Sequence, residues 1–197
     1  TGAFEIVDEL GSSPDFQFMP VGNAGNISSY FKGYKMYKAE NKILDYPRLI
    51  GVQAENSAPL VDKKIIKSPQ TIASAIRIGN PASSTLAKEA ISQTKGEFLK
   101  VSDKNIIEAQ SLLAKEEGIF CEPASASSLA GFLKYSDSNI DYIGKKIVFI
   151  LTGNGLKDPE VAQKYLKSEI IKTSSKIEDI SDAIISGKSK SFFSRFF

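Results

Sequence analysis

The apolar positions along the chain fall into alternating short runs and helical stripes. Thr1 to Leu10 reads as a helix already in progress. From Asp15 the chain reads DFQFMPVG, with apolar residues at 16, 18, 19 and 21 and a glycine to end on, as expected of a buried strand over Phe16 to Val21. Ile27, Tyr30, Phe31, Tyr34 and Tyr37 then fall at helical spacing, with Lys32, Lys35 and Lys38 on the other face. Arg48 to Ala54 and Phe98 to Val101 are further strand candidates. Lys146 to Thr152 is the clearest, with its apolar run closing at Leu151, and is expected to be covered on both faces.

Between these strands, Thr71 to Thr94 carries helical patches around Ile72 to Ile76 and Leu86 to Ile91, interrupted by the turn signal Gly79-Asn80-Pro81. Ser102 suits the N-cap of a helix over Asp103 to Glu117, with Gly118 as its stop. Another helix is expected from Glu122-Pro123, using proline in the first turn and burying Leu129, Phe132 and Leu133. Strands alternating with helices argue for an α/β fold with a mostly parallel, doubly wound sheet whose ligands sit beyond the carboxyl ends of the strands. After about Lys167 the pattern weakens. Residues 1–167 are read as one α/β portion, and 168–197, ending in SFFSRFF, as a polar, basic tail that is a weakly ordered extension or a docking helix.

Composition narrows the chemistry. With 197 residues, 42% hydrophobic and 24% charged, the chain suits a globular domain with a real core. Lys and Arg total 25 against 23 Asp and Glu, and a net charge of +2 gives no field that argues for nucleic acid or an anionic membrane. The absence of histidine removes the Ser-His-Asp and Cys-His nucleophile pairs and the usual imidazole metal ligands. One cysteine, Cys121, makes neither an internal disulfide nor a thiolate cluster; it is expected to be a buried thiol in a reducing cytoplasm. The longest apolar run, Ile147 to Leu151, falls far short of the roughly 20 residues of a membrane span, and Thr1 to Leu10 lacks the features of a signal peptide.

Two glycine-containing loops lie at strand ends. In Val21-Gly22-Asn23-Ala24-Gly25-Asn26, two glycines are expected to allow a tight turn, and the following helix points free N–H groups and the positive end of its dipole at the loop, making an anion site suited to phosphate. It has neither the Walker ending nor the G-x-G-x-x-G spacing. In Leu151-Thr152-Gly153-Asn154-Gly155-Leu156, the Thr152 hydroxyl suits a ring nitrogen or a ribose oxygen, or caps its own turn.

Six segments, in order, carry a wider resemblance: FEIVDELG (4–11), PVGNAGNI (20–27), GVQA (51–54), AIRIGNP (75–81), EPASAS (122–127) and LTGNGLKD (151–158). Together they resemble the threonine synthase family, within the fold type II pyridoxal 5′-phosphate enzymes, over roughly residues 3 to 165. The resemblance implies a three-layer sheet, a C-terminal portion of the catalytic domain, and a cofactor phosphate wrapped by Gly22, Asn23, Ala24, Gly25 and Asn26. It implies that Thr152 bonds the pyridine nitrogen, and a threonine there, in place of a carboxylate, leaves the ring closer to neutral. The family reaction turns O-phosphohomoserine and water into threonine and phosphate, in a cytoplasmic homodimer.

The family's Schiff-base lysine lies in a Ser-Phe-Lys-Asp-Arg type segment, which this sequence does not contain. The chain is therefore expected to be a fragment, inactive alone, with no catalytic nucleophile of its own. Arg77 could reach a substrate phosphate and Glu122 could act as an acid or base, but Arg77 is read as a structural ion-pair partner and Glu122 as a helix-dipole residue, and neither enters the site. Rival readings are another fold type II enzyme, such as a threonine dehydratase, and a non-catalytic half-enzyme that binds a phosphorylated metabolite or a partner protein.

Overall fold

A computed structural model of the chain describes residues 1–136, 142–165 and 173–191. In chain order these form α1 (Gly2–Leu10), β1 (Phe16–Pro20), α2 (Gly25–Ala39), β2 (Arg48–Ala54), α3 (Pro59–Asp62), α4 (Ser84–Gln93), β3 (Glu97–Val101), α5 (Asp103–Glu116), α6 (Pro123–Ser136), β4 (Ile147–Phe149), α7 (Pro159–Tyr165) and α8 (Ile177–Ser191). Short 3₁₀ turns cover Ser74–Ile76 and Gly155–Lys157. The chain divides into two compact units, Thr1–Val161 and Ala162–Phe197.

In the first unit the strands form one parallel sheet in the order β3-β2-β1-β4, with Phe18 opposite both Ile50 and Phe149. Alternate side chains point to opposite faces. Phe18, Ile50 and Val52 meet Ile106, Ala109 and Leu113 of α5 and Ala126 and Ala130 of α6 in one core. Met19 and Leu49 point the other way, onto Ala3 and Val7 of α1, Ile27, Phe31 and Tyr34 of α2, and Ala87 of α4. The result is three layers, with β1 buried throughout. Gln17, fully buried in β1, is made tolerable by hydrogen bonding: the Tyr34 hydroxyl donates to its Oε1.

Three expectations need correction. The strand expected over Lys146 to Leu151 is reduced to Ile147–Phe149, and among the described residues it pairs only with β1, so it lies at an edge and is half-buried instead of covered on both faces. Pairing beyond Phe149 is limited to Ile150, whose N–H still donates to the Phe18 carbonyl at 2.9 Å. Leu133 is 40% exposed, because α6 turns its small residues to the sheet: Ala124, Ala126, Ala130 and Gly131 are buried, along with Ser125, Ser127 and Ser128.

In the second unit α8 begins with Glu178 and Asp179 in its first turn, which suits the helix dipole, and Asp179 accepts from the Ser174 hydroxyl. The SFFSRFF run, apart from Ser191, lies outside the described residues. No helix among the described residues is long and apolar enough to cross a membrane.

Candidate functional site

The first glycine loop starts pinned to the sheet. The Val21 N–H donates to the Val52 carbonyl at 2.8 Å, and the buried Gln53 side chain bridges the Val21 carbonyl and the Leu60 N–H. A β-carbon on Gly22 would lie 2.7 Å from the Ala75 carbonyl oxygen, so a side chain there collides with backbone. The turn itself is made elsewhere than expected: neither Gly22 nor Gly25 has positive φ, whereas Ala24 sits in the left-handed region at φ 65°, ψ 7°. Glycine is used here for space.

A left-handed residue followed at once by a helix turns successive N–H groups toward one point. Among the described residues, no protein acceptor takes the backbone N–H groups of Gly22 to Asn26. The α2 N-terminus has no side-chain cap and no acid in its first turn, and the nearby Ser28 and Ser29 hydroxyls donate backward to the Ala24 and Gly25 carbonyls. The Asn23 carbonyl accepts from Ser83, fastening the outer side of the loop. What remains is a cluster of unpaired donors at the positive end of a helix.

The second loop is organised by the start of α6. Ser125 Oγ accepts from the backbone N–H groups of both Thr152, at 2.8 Å, and Gly153, at 2.9 Å. Ser125 Oγ and Thr152 Oγ1 are 3.0 Å apart, and Thr152 Oγ1 donates to Glu122 Oε1 at 3.2 Å. Glu122 is 1% exposed; its N–H donates to the Gly153 carbonyl, and a β-carbon on Gly153 would sit 2.5 Å from its carboxylate. Lys157 Nζ lies 2.9 Å from Glu122 Oε2, and this partner raises the Lys157 pKa above its ordinary value, first by hydrogen bonding and then by charge. Cys121, next in the chain, is pushed up to about 11 by burial, so its thiol stays protonated and unreactive near neutral pH.

Both loops open on one cavity of about 280 Å³, lined by Gly22 to Asn26 from the first and Thr152 from the second, with Ile76 and Ala124 as apolar walls. All six residues singled out from the sequence therefore meet in one place. A larger hollow of about 530 Å³ between α1 and β4 carries Glu5 and Glu9 against an apolar wall and gathers no comparable donors. Arg77 corrects its expectation: no ion pair forms among the described residues, and its Nε donates to the Thr71 carbonyl at 3.0 Å. Glu122 is also more than a dipole residue. The sequence singles out Glu122, a carboxylate beside Pro123 at a helix start, but leaves it outside the site, and it gives no signal for Ser125 or Lys157.

Threonine synthase of Mycobacterium tuberculosis is 52% identical over 168 residues, 85% of this chain and 47% of that protein. The Bacillus sp. (strain ULM1) threonine synthase is 49% identical over 184 residues, 93% of this chain and 52% of that protein. The chain thus spans about half the length of these relatives. Among solved structures, a threonine deaminase from T.th. matches with a TM-score of 0.61 at 20% identity, over 79% of this chain and 51% of that one, which is a likeness of fold. A family model described as pyridoxal-phosphate dependent enzyme matches residues 1–153. As that match runs from the first residue into the second glycine loop, the chain belongs to the pyridoxal-phosphate-dependent enzyme family.

Proposed function

We propose that this chain supplies the phosphate cradle and the ring-nitrogen contact of a threonine synthase, which converts O-phosphohomoserine and water to L-threonine and phosphate. The observation that carries the reading is the meeting of two loops on one cavity, one offering unpaired N–H donors and the other a hydroxyl. The residues suit pyridoxal 5′-phosphate. Open space around the Gly25 Cα would be filled by any β-carbon, and the N–H cluster beside it matches a phosphate monoester. Each hydrogen bond to a charged group contributes about 1.5 to 3 kcal/mol and the helix dipole about 0.3 to 1, so several donors hold a phosphate without a lysine. Ile76 and Ala124 line the cavity and would offer apolar surface to the ring, and Thr152, on the same cavity, would contact its nitrogen.

When bound, the cofactor supplies an electron sink for charge developing on an amino-acid substrate. This chain's residues bind its phosphate through Gly22 to Asn26, orient the ring through Thr152, and fasten Thr152 through Ser125. The reading assigns no Schiff-base lysine to this chain, because none of its lysines stands in a matching segment. In this view residues 1–167 are part of the catalytic domain of a cytoplasmic homodimer, 168–197 is an appendage, and the chain by itself is inactive.

Titrating the purified chain with pyridoxine 5′-phosphate tests the cradle. Saturable binding, displaced by inorganic phosphate and lost in Gly25→Val, is expected. Gly25→Val has room to fold, since a β-carbon there meets nothing within 4 Å, so unchanged affinity in a folded variant sinks the assignment.

A further inference from the structure

Part of the cavity's lining comes from neither glycine loop. The short turn Ser74–Ile76 contributes Ala75 and Ile76. On one side this turn is anchored from beneath and behind. The buried Ser57 hydroxyl donates to the Ile76 carbonyl at 3.1 Å, with the Ile78 carbonyl at 3.3 Å. Asp103, in the first turn of α5, accepts from the Thr71 hydroxyl at 2.6 Å and from the Ile72 N–H at 3.1 Å. The other side is tied to the loop after β4. Ser74 Oγ donates to Asp158 Oδ2 at 2.7 Å, across 84 residues of sequence, and among the described residues the Ser74 side chain makes no other hydrogen bond. Asp158 is itself set on folded backbone, its N–H donating to the Gly155 carbonyl at 3.2 Å and its carbonyl accepting from the Val161 N–H at 3.2 Å. The lining is thereby closed into a ring: Gly22 packs under the Ala75 carbonyl, Ser74 reaches Asp158, and the loop that carries Asp158 also carries Thr152.

We propose that Asp158 is a positioning residue which, through Ser74, holds Ala75 and Ile76 against the cavity, so that the site reads the body of its ligand as well as its phosphate. This rests on the cavity's being the cofactor site. The N–H groups of Gly22 to Asn26 recognise a phosphate whatever is attached to it. An apolar wall gains only from surface it touches, and a gap of an ångström forfeits much of that gain. Ala75 is exposed at the rim, and the bond from Ser74 fixes it there. Asp158 acts through Ser74 and never touches the ligand.

Ser74→Ala and Asp158→Ala remove the bond from its two ends, while Asp158→Asn keeps an acceptor oxygen for the Ser74 hydroxyl. Each variant, as the full chain, is titrated by calorimetry with pyridoxine 5′-phosphate and separately with inorganic phosphate. Both alanine variants are expected to bind pyridoxine 5′-phosphate about fivefold more weakly, the worth of one hydrogen bond, and to hold inorganic phosphate as the wild type does. Asp158→Asn is expected to restore the binding that Asp158→Ala loses. The double variant Ser74→Ala/Asp158→Ala is expected to be no weaker than either single one, because each removes the same bond. Ser74 is exposed, so Ser74→Ala serves if Asp158→Ala does not fold.

Unchanged binding in folded variants, additive losses, an equal loss of both ligands, or an Asp158→Asn as weak as Asp158→Ala overturns the proposal and leaves the cavity assignment standing. Absence of saturable binding in the wild type, or binding that survives Gly25→Val, overturns the cavity assignment and the proposal together.

Discussion

Gly22 and Gly25 lie three residues apart in one loop yet are glycine for different reasons, and substitution separates them. Gly22→Ala drives a β-carbon to 2.7 Å from the backbone carbonyl oxygen of Ala75, so it is expected to cost about 1 to 3 kcal/mol of stability, read by urea unfolding. Gly25→Val is expected to leave stability nearly intact and abolish ligand binding. If the two variants behaved alike, the distinction between packing space and binding space would fail. Ser125→Ala strands the N–H groups of Thr152 and Gly153. A loss of about 2 kcal/mol, or roughly 4 to 8 °C in Tm for a domain of this size, is expected by calorimetry. That the glycine loops and Thr152 line one cavity was legible in the sequence, because an open parallel sheet places its crevice beyond the carboxyl ends of its strands. Ser125 was not, since a serine in the first turn of a helix looks like any other until the loop it anchors is known.

At the scale of elements, the strands were legible wherever burial on both faces left a continuous apolar run, as in β1 and β2. The expectation was too long at β4, where hydropathy continues to Leu151 but pairing does not. The α6 helix misled for the opposite reason, its buried face being built of alanine, serine and glycine while the large Leu133 lies outside. The start of β4 is tied to the start of β1 by Asp15, whose carboxylate accepts from the Lys146 N–H at 2.9 Å and pairs with Lys145 at 3.2 Å. The backbone hydrogen bond from Lys146, followed by that of Lys145, holds its pKa below the ordinary 3.8. A lowered folded-state pKa contributes stability that is present above the unfolded value and lost as pH falls through the folded one. The stability gap between wild type and Asp15→Asn should thus be full above about pH 4 and close at lower pH. Parallel acid-unfolding curves would show that the tie is immaterial.

For the whole molecule, every residue lining the cavity falls within Thr1–Val161. A chain ending at Lys167 is therefore expected to bind pyridoxine 5′-phosphate as the full chain does, measured by the same titration, and loss of binding would assign the 168–197 segment a part in the cradle. The layered fold could be anticipated from the alternation of strands and helices, since each strand needs cover on both faces. The order β3-β2-β1-β4 was beyond reach, because periodicity within a segment says nothing about which segment lies beside it.

Ala24 carries a further consequence. A residue with a β-carbon held in the left-handed region costs the fold on the order of 1 kcal/mol, and Ala24→Gly would relieve that cost while letting the loop wander. The cost is met when the chain folds, before any ligand arrives, so the loop enters binding with little disorder left to lose. Calorimetry of phosphate binding should then show a larger entropic penalty for Ala24→Gly than for the wild type, as befits a mould set hard before casting.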